Sequence, residues 1–271
     1  MKLKDKIEHS FVAVLTVAIV FLSTGIATAT ESDVYLKVES FTWKEHKGGA
    51  LFVEESGKIY GIGSAIKFYP FRQLTLKVRS ELFGGQVDYD GRTWGGVPVK
   101  SNTNYLGFKV EGDAGWKFMV AEKTSVEPFA GLGYRWWIRD IESVPTVAIG
   151  YTENWRSLYA RLGVRGDHNL SKHARLFAEG GVKLPIQNRN TADLTVVGLN
   201  EVTVEPGKRA SVFAEVGAKF KFLRASVFYE GMRFSESPAV IAGVDPILGP
   251  IWVWQPESKA DMFGVNIGIT F

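Results

Sequence analysis

Beyond residue 30 the dominant pattern is alternation with a period of two. In the last twelve residues Phe263, Val265, Ile267, Ile269 and Phe271 are large and apolar, while Gly264, Asn266, Gly268 and Thr270 between them are small or polar. Residues 210–222 repeat the pattern: Val212, Val216, Phe220 and Phe222 lie on one face, and Phe213, Glu215, Lys219 and Lys221 on the other. Residues 173–186 do so again, with Leu176, Val182, Leu184 and Ile186 opposed to Arg175, Glu179 and Lys183. A period of two is the mark of strands whose two faces meet different surroundings. Ten such segments are predicted, over 34–45, 58–69, 73–89, 102–119, 125–139, 154–167, 173–187, 209–222, 223–235 and 260–271. Nearly all reach the ~9–11 residues that a tilted strand needs to cross a bilayer. No helical periodicity competes with them.

The connections alternate too. Those at 69–73, 120–125, 168–172 and near Leu223 are short, whereas 46–57, 90–101, 140–153, 188–208 and 236–259 are long. With the N-terminus on one side of a membrane, every short connection falls on that side and every long one on the other. Strands survive in hydrocarbon only if the sheet closes on itself and leaves no unpaired edge. The expectation is an all-β fold: a closed antiparallel transmembrane barrel of about ten strands with short periplasmic turns and long outer loops. Predicted strand ends hold Tyr60, Phe68, Tyr69, Phe71, Tyr89, Tyr105, Phe118, Trp136, Trp137, Trp155, Phe220 and Phe222. These are expected to form the aromatic girdles at the two interfaces.

The first residues read differently. Lys2, Lys4 and Lys6 precede a 12-residue stretch from Phe11 to Leu22, apolar except for Thr16, and Ala27-Thr28-Ala29 follows as a small-x-small site. This is the layout of a secretory signal peptide, and the apolar stretch falls short of the ~20 residues of a spanning helix. The domains expected are a cleaved leader over 1–29 and a barrel over 30–271.

The alternating terminal strand that ends in Phe271 resembles that of Gram-negative outer-membrane β-barrel proteins. The resemblance implies that Phe263, Val265, Ile267, Ile269 and Phe271 are the signal read by the barrel-assembly machinery. It implies an outer-membrane location, with lipid and lipopolysaccharide as neighbours, and leaves activity open because the class hosts pores, enzymes, adhesins and receptors.

Composition narrows the rest. The 271 residues include no Cys, which removes disulfides and thiolate metal sites. The 32 basic and 29 acidic residues nearly cancel, so no nucleic-acid partner is expected. The face assigned to the lumen is densely charged: Glu39, Lys77, Arg79, Glu81, Lys109, Glu111, Arg135, Arg161, Arg165, Arg175, Glu179, Glu215, Lys219 and Glu230, with Lys117 among others. Charges inside a barrel must pair or be hydrated. Wide channels arise with about 16–18 strands, so ten give a narrow or closed passage. Glycines such as Gly63, Gly131, Gly133 and Gly163 fall mostly on this face and are expected to leave room for long charged side chains.

The first functional expectation is therefore a non-enzymatic barrel, structural or narrowly porin-like, with a charge-paired lumen, no cofactor and no metal. The second is a surface adhesin or ligand-binding barrel that engages an unidentified extracellular ligand through its loops. The apolar stretch 238–256, with Ile251, Trp252 and Trp254, is its candidate contact, unless that loop folds into the barrel mouth. Residues 194–197 and 201–204 are expected to make a small outer hairpin. The third is a rim hydrolase. The Asp88-Tyr89-Asp90 sequence resembles the paired aspartates of the ten-stranded omptin proteases, which also use an Asp–His pair. Loop 188–208 has no His, so His46 would have to supply the base; His168 and His173 flank a periplasmic turn.

Overall fold

The computed structural model describes residues 29–93, 95–247 and 249–271. The expected leader, up to residue 28, lies outside them. Ten long strands form the barrel wall. They are β1 (Ala29–Lys47), β2 (Ala50–Phe68), β3 (Leu74–Arg92), β4 (Pro98–Trp116), β6 (Thr124–Ile141), β7 (Thr152–Asn169), β8 (Ala174–Asp193), β11 (Ser211–Phe220), β12 (Leu223–Ser235) and β15 (Glu257–Thr270). Each pairs antiparallel with its neighbours, and β1 pairs with β15 to close the ring. Short β5 (Phe118–Ala121) prolongs β4 along β6. Short β9 (Glu201–Val204) and β10 (Gly207–Lys208) pair with the outer ends of β8 and β12. A separate hairpin of β13 (Val240–Asp245) and β14 (Gly249–Val253) stands in the last outer loop.

All ten predicted segments are strands, and their apolar aliphatic and charged residues take the expected faces. Leu36, Ile62, Leu132, Leu162, Val216 and Phe263 project outward and are exposed, as a lipid-facing row must be. The residues beside them are small or charged and point into the barrel. On β4 the outward apolar row runs from Leu106 to Trp116, a length that matches the ~9–11 residues needed to span.

Three expectations need correction. The strands extend well beyond the membrane on the outer side. Glu54, Ser56, Lys58, Gln86, Asp88 and Asp90 occupy the outward face there, and all are polar. About eight residues of extra strand raise the wall some ~20 Å above the lipid at ordinary rise and tilt. The connections expected over 46–57 and 90–101 are thus mostly strand, and the first shrinks to a two-residue turn. Gly48 and Gly49 take φ of 59° and 83° in it, the left-handed pair that a tight hairpin requires. The small hairpin expected from 194–197 and 201–204 does not form either. Thr195–Val197 is a 3₁₀ turn, and β9 pairs with Asn190–Asp193 of β8.

The aromatics divide between the two faces. Phe108, Tyr134 and Trp136 stack outside, with ring centroids 5.9 Å and 5.5 Å apart, and form part of a girdle. Tyr105, Trp137 and Trp155, expected in the girdles, point inward and are buried. The inward glycines make room for rings as well as for charges. A Cβ on Gly133 would lie 2.3 Å from the Tyr159 ring, and one on Gly63 2.4 Å from that of Tyr35.

Candidate functional site

The lumen has three levels. The lower and middle levels hold the charged residues that alternation assigned to the interior, and ion pairs join strands across the barrel. Lys77 reaches Glu179 at 2.5 Å and Arg79 reaches Glu215 at 2.9 Å, pairs that are 102 and 136 residues apart in sequence. Arg161 lies 2.9 Å from Asp113, 3.0 Å from Glu179 and 3.2 Å from Glu111. Arg165 contacts Glu127 at 3.0 Å. Glu230 gathers Lys183 at 2.7 Å, Lys109 at 2.8 Å and Arg135 at 3.3 Å. Lys37 bridges Glu39 and Glu81, both at 2.9 Å. Near the periplasmic end Arg175 pairs with Glu31, and Lys219 with both Glu31 and Asp33. Every charged lumen candidate except Lys117 thus has an opposite charge beside it. Lys117 departs from the expectation: its ammonium lies over the Tyr69 ring at the periplasmic rim.

Space between these side chains is scarce. A void of about 30 Å³ lies at mid-barrel among Lys37, Glu81, Lys109, Glu111, Lys183 and Glu230. That is room for about two waters. Another of about 60 Å³ opens below it near Lys77, Arg165 and Arg224.

The upper level is apolar. Trp155, with no exposed surface, stacks on Trp137 at 5.3 Å and meets Trp43 edge-on at 5.1 Å. Phe41, Ile59, Phe83, Tyr105, Met232 and Phe234 complete a plug across the barrel. Immediately around it sits a hub that the sequence reading did not anticipate. Arg139, 1 % exposed, lies 2.8 Å from Glu55, 2.9 Å from Glu153 and 3.0 Å from Glu45. The Trp43 and Trp155 indoles donate to Glu45 and Glu153, and the Thr103 and Tyr105 hydroxyls donate to Glu55. Glu55 and Glu153 lie in the stretches 46–57 and 140–153, where the weakened pattern predicts loops. The available signal was that alternation continues through Val53 and Glu55, and through Glu153 and Trp155.

Above the hub the outer loops enclose a cavity of about 410 Å³. Glu45 and Arg139 form part of its floor, and Phe52, Val99, Ile141, Ile149, Tyr151, Leu199 and Ile251 form its walls. Burial, reinforced by the neighbouring Glu153 carboxylate, pushes the Tyr151 hydroxyl well above its usual range, so it stays a protonated donor. The β13–β14 hairpin packs on one side of the cavity: Ala242 and Val253 join Ala192, Leu194 and Val202 in a small core, with Tyr151 and Leu199 against it. Of the three candidate contacts in this loop, Ile251 lines the cavity. Trp252 is half exposed outside it, and Lys47 covers the Trp254 ring.

The residues considered for hydrolysis are not brought together. Asp88 and Asp90 face outward, and Asp90 pairs with Lys100. His46 stands opposite Leu51 of β2, whereas Asp88 stands opposite Ser56, five positions along that strand. The five steps alone separate them by ~17 Å. His168 meets Thr124 at the periplasmic end, and among the described residues no group of His, Asp and Glu could hold a metal. Phe263, Val265, Ile267, Ile269 and Phe271 line the lipid side of the closing seam.

Similarity to known proteins agrees with this architecture. No curated protein matches the chain in sequence. The outer membrane protease OmpT of Escherichia coli is similar in structure at 11 % identity, TM-score 0.55, covering 89 % of this chain and 96 % of that one. The transport unit of the autotransporter AIDA-I from Escherichia coli gives 8 % identity and TM-score 0.46 over 88 % and 90 %. The translocator domain of NalP from Neisseria meningitidis gives 11 % and 0.37 over 96 % and 97 %. The first likeness establishes the fold, an outer-membrane β-barrel. Residues 55–230, well over half of the chain, match the autotransporter β-domain, and the chain belongs to that family.

Proposed function

We propose that this protein is a non-conducting outer-membrane barrel that works at its outer face, as a receptor for a small, mainly apolar molecule. The observation that carries the reading is the contrast along the barrel axis. Mid-barrel offers about 30 Å³ among paired charges, whereas the outer loops enclose about 410 Å³ with apolar walls. Cavities that are apolar, concave and furnished with a few polar groups are the usual form of small-molecule sites. Membership of the autotransporter β-domain family raises transport through the lumen as another reading. A helix is ~10–12 Å across with its side chains. To admit one, both the Trp43–Trp137–Trp155 plug and the network around Arg161 and Glu230 would have to be displaced. The narrow-pore form of the first expectation is disfavoured for the same reason, and its structural form is retained.

Two measurements test the proposal. Refolded protein in planar bilayers is expected to give no conductance steps. A small apolar diazirine probe is expected to photolabel Ile141, Tyr151 or Leu199, and Leu199→Trp is expected to abolish that labelling by filling the cavity. Stable conductance, or labelling confined to lipid-facing positions, would refute it.

A further inference from the structure

The outward cations just above the lipid band are generally matched by carboxylates. Lys44 pairs with Glu54, Arg233 with Asp261, Lys100 with Asp90 and Arg209 with Glu257. Exceptions occur: Lys58 and Lys259 have no ion pair among the described residues, Lys259 stands opposite both Lys44 and Arg233, and a second like-charged place lies on β7 and β8. Arg156 of β7 and Arg189 of β8 are both exposed and directly opposite in register. Like charges in that position destabilise a sheet. Arg189 reaches Glu205 at 3.1 Å, but both side chains are about half exposed, so the pair is weak. Arg156 has no ion pair among the described residues. Its neighbour on the other side is Trp136.

The level of this pair matters. Trp136 belongs to the outward stack with Phe108 and Tyr134, and its indole donates to Asn154 at 2.8 Å. Such rings settle at the headgroup level of a membrane. One step toward the membrane from the arginines lie Leu158 of β7 and, opposite it, the exposed Gln187 of β8, with Ile186 beside it at a bulge and well exposed. Two guanidinium groups therefore stand at the border between acyl chains and headgroups, beside a ring that suits the same depth.

We propose that Arg156 and Arg189 form a docking site for the phosphate of an anionic lipid headgroup in the outer leaflet. A phosphate accepts bidentate contacts from planar guanidinium forks. It would offset the repulsion between the two arginines, while Leu158, Ile186 and Trp136 meet the acyl chains and the glycosidic edge of the same lipid. The site rests on the outer-membrane location and is independent of the apolar cavity.

The test uses the full refolded protein in detergent, titrated with lipid A bearing its phosphates and with dephosphorylated lipid A, and read by native mass spectrometry. Arg156→Gln is expected to weaken binding of the phosphorylated lipid about fivefold, and the double variant with Arg189→Gln by about 25-fold. Arg156→Lys keeps the charge but loses the fork and should retain only part of the affinity, above that of Arg156→Gln, and the dephosphorylated lipid should bind all variants alike. Heat-modifiable gel mobility verifies that each variant is folded, and Arg156→Gln alone decides the matter if the double variant is not. Unchanged affinity in the folded variants, or equal loss for both lipids, would overturn the proposal. Inorganic phosphate binding as tightly as the lipid would assign the site to a soluble anion and overturn it too.

Discussion

Replacing Arg139 by Met is the most direct test of how the outer end of the lumen is held together. The guanidinium lies within 3.0 Å of three carboxylates, those of Glu45, Glu55 and Glu153. At ~4 Å between charge centres and an effective dielectric of ~20, each attraction is worth ~4 kcal/mol. Repulsion among the three carboxylates and the desolvation of all four groups cancel most of that sum. Removing the arginine leaves only the repulsion and the desolvation. Breaking a buried ionic group in this way costs about 3–5 kcal/mol. Arg139→Met should therefore lower the urea midpoint of the refolded barrel by an amount equivalent to several kcal/mol. Adding Glu45→Gln, Glu55→Gln and Glu153→Gln should restore most of the loss, because amides need no counter-charge. The assay is urea unfolding in liposomes, followed by tryptophan emission, since Trp43 and Trp155 donate to this hub. A loss below ~1 kcal/mol in the single variant, or no recovery in the combined one, would refute the electrostatic account.

Other consequences follow from the same structure. Lys100→Ala removes an ion pair with Asp90 whose side chains are 81 % and 60 % exposed, so urea unfolding should shift by less than ~0.5 kcal/mol. Gly133→Val would drive a Cβ into the Tyr159 ring; little heat-modifiable barrel should form, and adding Tyr159→Ala should recover part of it. Phe271→Ala should reduce the fraction of protein assembled in cells while refolding from urea into detergent proceeds normally, because the residue is exposed at the seam and buries little.

How much of this was legible beforehand varies with position in the barrel. Within the membrane every strand was readable, because hydrocarbon on one side and charge on the other give sharp alternation. Above the membrane, water bathes the outer surface and the inner surface turns aromatic. The contrast therefore weakens, and Ala50–Gly57 and Pro98–Ser101 read as loops. Trp137 and Trp155 were misplaced for a related reason: a ring near a strand end suits a lipid border and a dry lumen equally well. The Arg139 hub was not legible because Glu55 falls in the first of these stretches and Glu153 in the expected loop 140–153.

Within the membrane the sequence by itself determined the strands, the alternation of lipid-facing apolar and inward charged residues and the segment that meets lipid, since these depend on period and solvent alone. Only the tertiary structure decided which charge meets which, that the aromatic plug crosses the lumen, and that the last loop walls a cavity. Partners such as Arg79 and Glu215 are 136 residues apart and meet only because closure of the ring brings their strands to face each other. Alternation tells a side chain to point inward. Barrel radius, strand tilt and the opposite wall determine what it finds there.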